Sequence, residues 1–490
     1  MSAFSVHPLV ARIVVDLSEP VDFKLRQSGT EILIEIPFPK AVAAAARVRK
    51  AATVEKQPDA KDKTDRAEEL AALAVPAPKP TEPENRPRAG SWQVGAYALM
   101  DKAKKLNVGD LEPLEQKADA GDPDAQTMLA LAYHAGILLR QDDSEALRLL
   151  RKAADKGSMA AEESLGIFAE TGIGMKPAPS EAMNWYQRAA QRGSLDAATN
   201  IGLMYANGRG VSKDNGQAIT WFQRAAVGGD ASAQYDLALM YERGEGVPQD
   251  YKEAVRWLTP AAEQNLIPAI LDLAEISLRP PIPAMNADVS RAMSYYEKAA
   301  NLGSPVAQSA LGTIFMRGLN GKADYDQAVK WFRKAADQGN ADGELGLGVS
   351  YALGHGVPTD YEEARRLLTA AANQGQVEAQ YDLGVLCEEG KGAPPDRNLA
   401  AHYYQMAAEQ GSPKAQYRYG LLLAKNNGSR SDRVAAYKWL MLTQGSIKES
   451  SAALSNLRKS MSDQEISEAD QEVDQWRLAH KRDDPPSLEH

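Results

Sequence analysis

One repeated stretch of text constrains this chain more than any other feature. Aligned on a small opening residue, nine copies begin at Ala125, Ala161, Ala197, Ala233, Ala269, Ala307, Gly343, Ala379 and Ala415. Seven of the eight intervals are 36 residues, and the one from Ala269 to Ala307 is 38. A fixed period of this length belongs to arrays whose units bury their apolar faces only by stacking on their neighbours. The copy from Ala233 to Asn265 shows the unit. Ala233, Leu237, Met240 and Tyr241 fall at i, i+4, i+7 and i+8, one face of a helix, and Ala254, Trp257, Leu258, Ala261 and Ala262 make a second. Gly244-Glu245-Gly246-Val247 lies between them, and glycine ends a helix in the left-handed conformation without a Cβ clash. Asp250 fits as N-cap of the second helix with Glu253 as its capping-box partner, and Asp360 and Glu363 repeat the device. Alanine pairs such as Ala225 and Ala226, Ala335 and Ala336, or Ala407 and Ala408 allow close helix approach. Trp185, Trp221, Trp257, Trp331 and Trp439 recur at one place in their units and should fill the gaps between layers.

The pattern A-x3-LG-x2-Y-x2-G-x-GV-x2-D-x3-A-x2-W-x3-AA-x2-G resembles the Sel-1-like repeats, relatives of the tetratricopeptide repeats. Ile201, Gly202, Tyr205, Gly208, Gly210, Val211, Asp214, Ala218, Trp221, Ala225 and Ala226 carry the match. The resemblance implies an all-α fold, a right-handed α/α superhelical solenoid of about nine repeats over 125–449. It also implies a scaffold that binds other macromolecules, with no chemistry of its own.

The other classes of function lack their residues. The 490-residue chain carries a formal net charge of −10, which argues against nucleic acid as the main partner, since phosphate binding needs clustered Lys and Arg. Cys387, the single cysteine, takes a helix position where other copies have Tyr, and is expected to be a buried structural thiol. The histidines His7, His134, His355, His402, His480 and His490 are scattered without metal-ligand spacing. His355 sits in a glycine loop at its variable position, where solvation is expected. Gly208-Arg209-Gly210-Val211 is neither a dinucleotide fingerprint nor a Walker loop. No nucleophile elbow is present. The chain therefore reads as non-enzymatic, without cofactor, metal or transmembrane segment.

The flanks differ from the array. Val21, Phe23 and Leu25 alternate with Asp22, Lys24 and Arg26, and Ile32, Ile34 and Ile36 with Glu31, Leu33 and Glu35. This is the two-residue period of strands, with a turn at Gln27-Ser28-Gly29-Thr30 and another strand suggested by Ile13, Val15 and Leu17. Residues 1–40 thus form a small N-terminal β segment. Arg12-Ile13-Val14-Val15-Asp16-Leu17 followed by Glu19-Pro20-Val21 resembles the AMIN domain, an envelope-targeting module that binds peptidoglycan or sits with secretion machinery. The alternative is a small β element docked on the array. Residues 41–90 read as a disordered linker rich in Pro and charge. Trp92 to Leu106 and Leu111 to Ala120 form a helical cap over 91–124, residues 450–482 a C-terminal cap, and 483–490 a tail. Ile137-Leu138-Leu139 replaces the glycine loop of the first copy and should pack on the cap or the β segment. Arg279-Pro280-Pro281-Ile282-Pro283 replaces it in the fifth and should form a stiff protruding loop.

For the partner, offsets two and three of the first helices should point away from the core, on the concave side. They carry Tyr235, Asp236, Asp272, Tyr381, Asp382, Tyr417 and Arg418, a candidate protein-binding ridge. The alternative is that these tyrosines pack between adjacent repeats. Two functions follow. One is a scaffold of the bacterial cell envelope, its repeats binding proteins and its β segment aiding localisation to peptidoglycan. The other is a cytoplasmic adaptor, with a solenoid subunit of polysaccharide export as a related option. The N-terminus lacks the basic and apolar regions of a secretory signal. The protein is therefore cytoplasmic, or periplasmic with its signal removed. Leu488-Glu489-His490 reads as the start of a purification-tag scar and favours a trimmed chain.

Overall fold

A computed structural model describes residues 24–28, 31–35, 103–282, 285–425 and 429–480. The chain divides into two compact units, residues 1–68 and 69–490. In the first, β1 (Lys24–Ser28) pairs antiparallel with β2 (Glu31–Glu35), placing Leu25 opposite Ile34 and Gln27 opposite Ile32. The alternation in the sequence is a hairpin here. The strand expected over 13–17, the linker over 41–90, most of the helix from Trp92 to Leu106 and the tail lie outside the described residues.

The second unit is helical throughout its described residues. α1 (Val108–Asp119) leads into nine helix pairs. These are α2 (Pro123–Ala135) with α3 (Asp143–Asp155), α4 (Met159–Thr171) with α5 (Pro179–Gln191), α6 (Leu195–Asn207) with α7 (Asn215–Val227), α8 (Ala231–Arg243) with α9 (Tyr251–Glu263), and α10 (Ile267–Leu278) with α11 (Val289–Asn301). The series continues with α12 (Pro305–Arg317) and α13 (Tyr325–Ala336), α14 (Ala341–Leu353) and α15 (Tyr361–Asn373), α16 (Val377–Glu389) and α17 (Arg397–Glu409), and α18 (Pro413–Lys425) and α19 (Arg430–Leu442). α20 (Ser450–Arg458) and α21 (Asp463–His480) close it. Each first helix packs against its own second helix and the second helix of the unit before it.

Local chemistry sets the ends of these helices. Ser194 caps α6 by accepting from Ala197 N, and Asp230 caps α8 by accepting from Ala233 N. Gly208 and Gly244 end the same helices at φ of 68° and 70°. The second loop glycine has a different task. At Gly210 a Cβ would stand 2.7 Å from the Pro179 carbonyl oxygen, because the loop lies over the start of the previous unit's second helix. Asp250 and Asp360 cap α9 and α15 as expected, each accepting from two backbone N–H groups. The expected return contacts from Glu253 and Glu363 are absent. Glu253 takes Arg256 at 3.2 Å, and Glu363 takes Arg366 at 2.7 and 2.8 Å. The backbone N–H of each cap is already taken, Asp250 donating to the Tyr241 carbonyl at 2.9 Å and Asp360 to the Tyr351 carbonyl at 3.0 Å, so the glutamates are left to their guanidinium neighbours.

The irregular copies resolve individually. In the first copy Leu139 packs into the cluster that α1 joins through Leu111 and Leu114, whereas Leu138 stays 41% exposed at φ 59°. Cys387 is fully buried, with an Arg365 Nη1 proton directed at its sulfur from 3.3 Å. His355 is not simply solvated: it stacks on Tyr325 of the preceding unit, with ring centroids 4.1 Å apart. At the C-terminus the Trp476 ring of α21 meets Trp439 edge-on at 6.3 Å, and Arg433 pairs with Glu465.

Candidate interaction surface

The first helices are packed from several sides. In α8, ten of thirteen residues are buried, Ser232 to Met240 and Glu242. Offsets two and three therefore do not point outward. Tyr235, Asp236, Asp272 and Asp382 are all buried, and Tyr381, Tyr417 and Arg418 are half-buried. The expected exposed ridge does not form, because those offsets face neighbouring helices of the stack. Tyr381 leans on Tyr404 with centroids 5.7 Å apart and hydrogen-bonds Arg418, whose guanidinium stands 3.8 Å from Glu388. Tyr417 packs in the C-terminal cluster. Burial pushes the Asp382 carboxyl well above the usual range, and Lys414 pulls against it. Tyr235 and Tyr381 thus follow the alternative, packing between repeats, whereas Tyr417 packs under the C-terminal helices.

What the surface does present is a row of tryptophans. Trp185, Trp221, Trp257 and Trp331 stand on second helices, one to a unit at the same phase, and each is only half-buried. Periodicity places them on one side of the array. Their inner faces fill gaps as expected, Trp257 packing against two successive clusters, while their outer faces stay open; Trp439, under the C-terminal cap, is buried. Cations stand over three of the four rings, Trp257 having Pro260 at the matching place. Arg188 sits 4.5 Å from the Trp185 centroid, Arg224 5.4 Å from Trp221, and Lys334 4.0 Å from Trp331. The signal was in the sequence, since each cation follows its Trp by three residues and so shares its side of the helix.

Among the described residues, no group of three or more His, Cys, Asp or Glu side chains has the arrangement to hold a metal ion. No helix there is long and apolar enough to cross a membrane. The arrangement offers contact area, aromatic and cationic, at a regular spacing.

The Sel1 repeat family model matches nine segments, 123–158, 160–194, 195–230, 231–266, 269–304, 305–340, 341–376, 377–412 and 413–440, each falling on one helix pair. The chain belongs to the Sel1 repeat family. The match includes none of residues 1–122, so the AMIN-like resemblance gains nothing from it. Two solved structures are similar. A Sel1 repeat protein from Oxalobacter formigenes is 29% identical, with 65% of this chain and 92% of that one covered at a TM-score of 0.48. A protective antigen of uropathogenic Escherichia coli strains, with an SLR fold, is 25% identical, with coverage of 78% and 98% and a TM-score of 0.37. No curated protein matches the chain.

Proposed function

We propose that this Sel1 repeat protein is a non-catalytic scaffold of the bacterial cell envelope that holds partner proteins along its array. The half-exposed tryptophan row carries the reading. Indole rings with stacked cations bring large contact area at small entropic cost, and such residues dominate the energetics of protein interfaces. Tyr381, Tyr417 and Arg418 remain reachable contributors; Tyr235, Asp236, Asp272 and Asp382 act through the packing that positions their neighbours. The envelope assignment is supported by the AMIN-like residues from Arg12 to Val21 and by the β1–β2 hairpin. An isolated two-stranded hairpin is marginal in water, so docking on a surface such as peptidoglycan would stabilise it.

Co-sedimentation with purified peptidoglycan tests the localisation, with the whole chain compared to one lacking residues 1–90. The whole chain is expected in the pellet and the truncated one in the supernatant. Pelleting of neither removes the envelope assignment. The scaffold half is tested on a partner recovered by cross-linking in cells. Trp221→Ala with Trp257→Ala should lower affinity at least tenfold while leaving the helical circular dichroism intact, and unchanged affinity would refute the tryptophan row.

A further inference from the structure

One cluster of carboxylates in the array has no cation beside it. Glu163 of α4, Asp196 of α6 and Asp230 at the cap of α8 come from three consecutive units and line one open cavity of about 600 Å³ across the starts of the first helices. The three act on one another in series, Asp196 raising the Glu163 carboxyl and Asp230 raising that of Asp196. Asp230 is otherwise satisfied, accepting from Ala233 N at 2.6 Å and from Thr199 Oγ1 at 2.9 Å. Glu163 is not. Its side chain is 7% exposed, and its Oε1 is buried without a hydrogen-bond partner.

Several other buried carboxylates have a cation of their own. Glu162 has Arg188 and Arg192, Glu170 has Arg209, and Glu465 has Arg433. No Lys or Arg is among the residues that line this cavity. Instead its walls include Met159, Leu195 and Leu266, apolar surface beside the acids.

We propose that this cavity receives a lysine side chain of a partner protein, the ammonium among Glu163, Asp196 and Asp230 and the methylene stem along Met159, Leu195 and Leu266. The inference rests on the scaffold function proposed above and names the chemistry of one contact. A compact ammonium carries three donors on a flexible four-carbon stem, which suits three carboxylate neighbours and an apolar approach. A metal ion suits the site less, since these acids lack a metal-binding arrangement. In the empty site burial, with Asp196 beside it, pushes the Glu163 carboxyl up to about 8; burial and Asp230 push Asp196 up to about 6. An arriving cation relieves that repulsion and fills the open valence of Glu163.

The test is titration calorimetry on the full chain with a blocked peptide, acetyl-Ala-Lys-Ala-Leu-amide, and with its acetyl-lysine counterpart. The lysine peptide is expected to bind in the millimolar range and the acetylated peptide at least tenfold more weakly. Glu163→Gln with Asp196→Asn keeps the side-chain volumes and removes the repulsion, so the variant should fold at least as stably and lose the lysine peptide. Equal binding to wild type and variant, no binding of either peptide, or tighter binding of cadaverine than of the peptide would each overturn the assignment; the last would point to a free polyamine. The tryptophan variant separates the two readings. A lysine peptide that fails while the partner still needs Trp221 and Trp257 removes this site alone. A lysine peptide that binds while the tryptophans prove dispensable removes the tryptophan row alone.

Discussion

Gly202 is defined by a methyl group it does not have. A Cβ there would lie 2.6 Å from the ring of Phe222, and the same relation holds for Gly166 with Tyr186, Gly312 with Phe332 and Gly384 with Tyr404. Where the second-helix residue at this place is Leu258, the first helix has Ala238 in place of glycine, and both are buried in one cluster. Ring and missing methyl are thus matched in these four units, while Gly348 and Gly420 face Leu368 and Leu440 at the same place, so leucine is accommodated there beside either glycine or alanine. Gly202→Ala gains about 1 kcal/mol of helix propensity. It also forces a methyl into a fully buried ring, and overpacking of that kind costs roughly 1–3 kcal/mol. A net destabilisation is expected, read as a lower urea midpoint. Adding Phe222→Leu to Gly202→Ala should be better tolerated than the two single effects summed, because the double variant reproduces the Ala238–Leu258 pair. Additive single effects would show that ring and glycine are not coupled.

At the scale of the element, the helix pairs, their caps and their loops were legible because each rests on local text, an N-cap, a glycine or a 3.6-residue stripe. The faces of the first helices were not. Periodicity marks one apolar face and reads Gln, Glu and Asp as solvated, yet here these residues link units to one another. Gln234 Nε2 donates to the Ala226 carbonyl at 3.1 Å and its Oε1 accepts from Gln264 at 3.1 Å; Gln380, Ala372 and Gln410 repeat the arrangement. In the second unit both glutamines have changed together. Glu162 stands at the first place and Arg192 at the second, 3.0 Å apart, with Arg188 Nε at 3.1 Å as a further partner. Nothing in one sequence alone announces such an exchange. Removing one side of a buried, charge-assisted network costs about 1–3 kcal/mol, so Glu162→Ala should lower the melting temperature measurably. Glu162→Gln combined with Arg192→Gln, which restores the common pair, should lower it less.

The terminal element has a pH dependence of its own. The Ser462 backbone N–H, Arg433 and the Ser462 hydroxyl hold the Glu465 carboxyl down to about 2. A carboxyl depressed in the folded state adds stability above its unfolded value near 4.5 and loses it as pH falls through the folded value. The docking of α21 should therefore weaken between about pH 4.5 and 2, seen as faster hydrogen exchange over 463–480. Arg433→Ala should move that loss to higher pH. Glu163 has the opposite sign. Its carboxyl is raised to about 8, so its contribution to stability falls as pH rises from about 4.5 to 8.

For the whole molecule, the governing fact is that each unit contacts mainly the next, so stability is a sum of unit and interface terms and no single core holds the array together. A damaged interface should then divide the array, where in a globular domain it would lower everything at once. Gly356 offers the cut. It sits at φ +71°, and a Cβ there would come within 2.4 Å of the Tyr325 carbonyl oxygen of the preceding unit, beside the stacked rings of Tyr325 and His355. Alanine at that position bears both the left-handed backbone penalty, about 1–2 kcal/mol, and the clash. Units one to six lie on one side, with Trp221 and Trp257, and units seven to nine on the other, with Trp439. In native-state hydrogen exchange with increasing urea, Gly356→Ala should separate the openings of α6–α9 from those of α18–α19 further than in the unmodified chain. Gly202→Ala, inside a unit, should weaken mainly its own neighbourhood. If Gly356→Ala instead shifted every helix by the same amount, cooperativity would extend across the interface. The array would then behave as one folding unit despite its one-dimensional contacts.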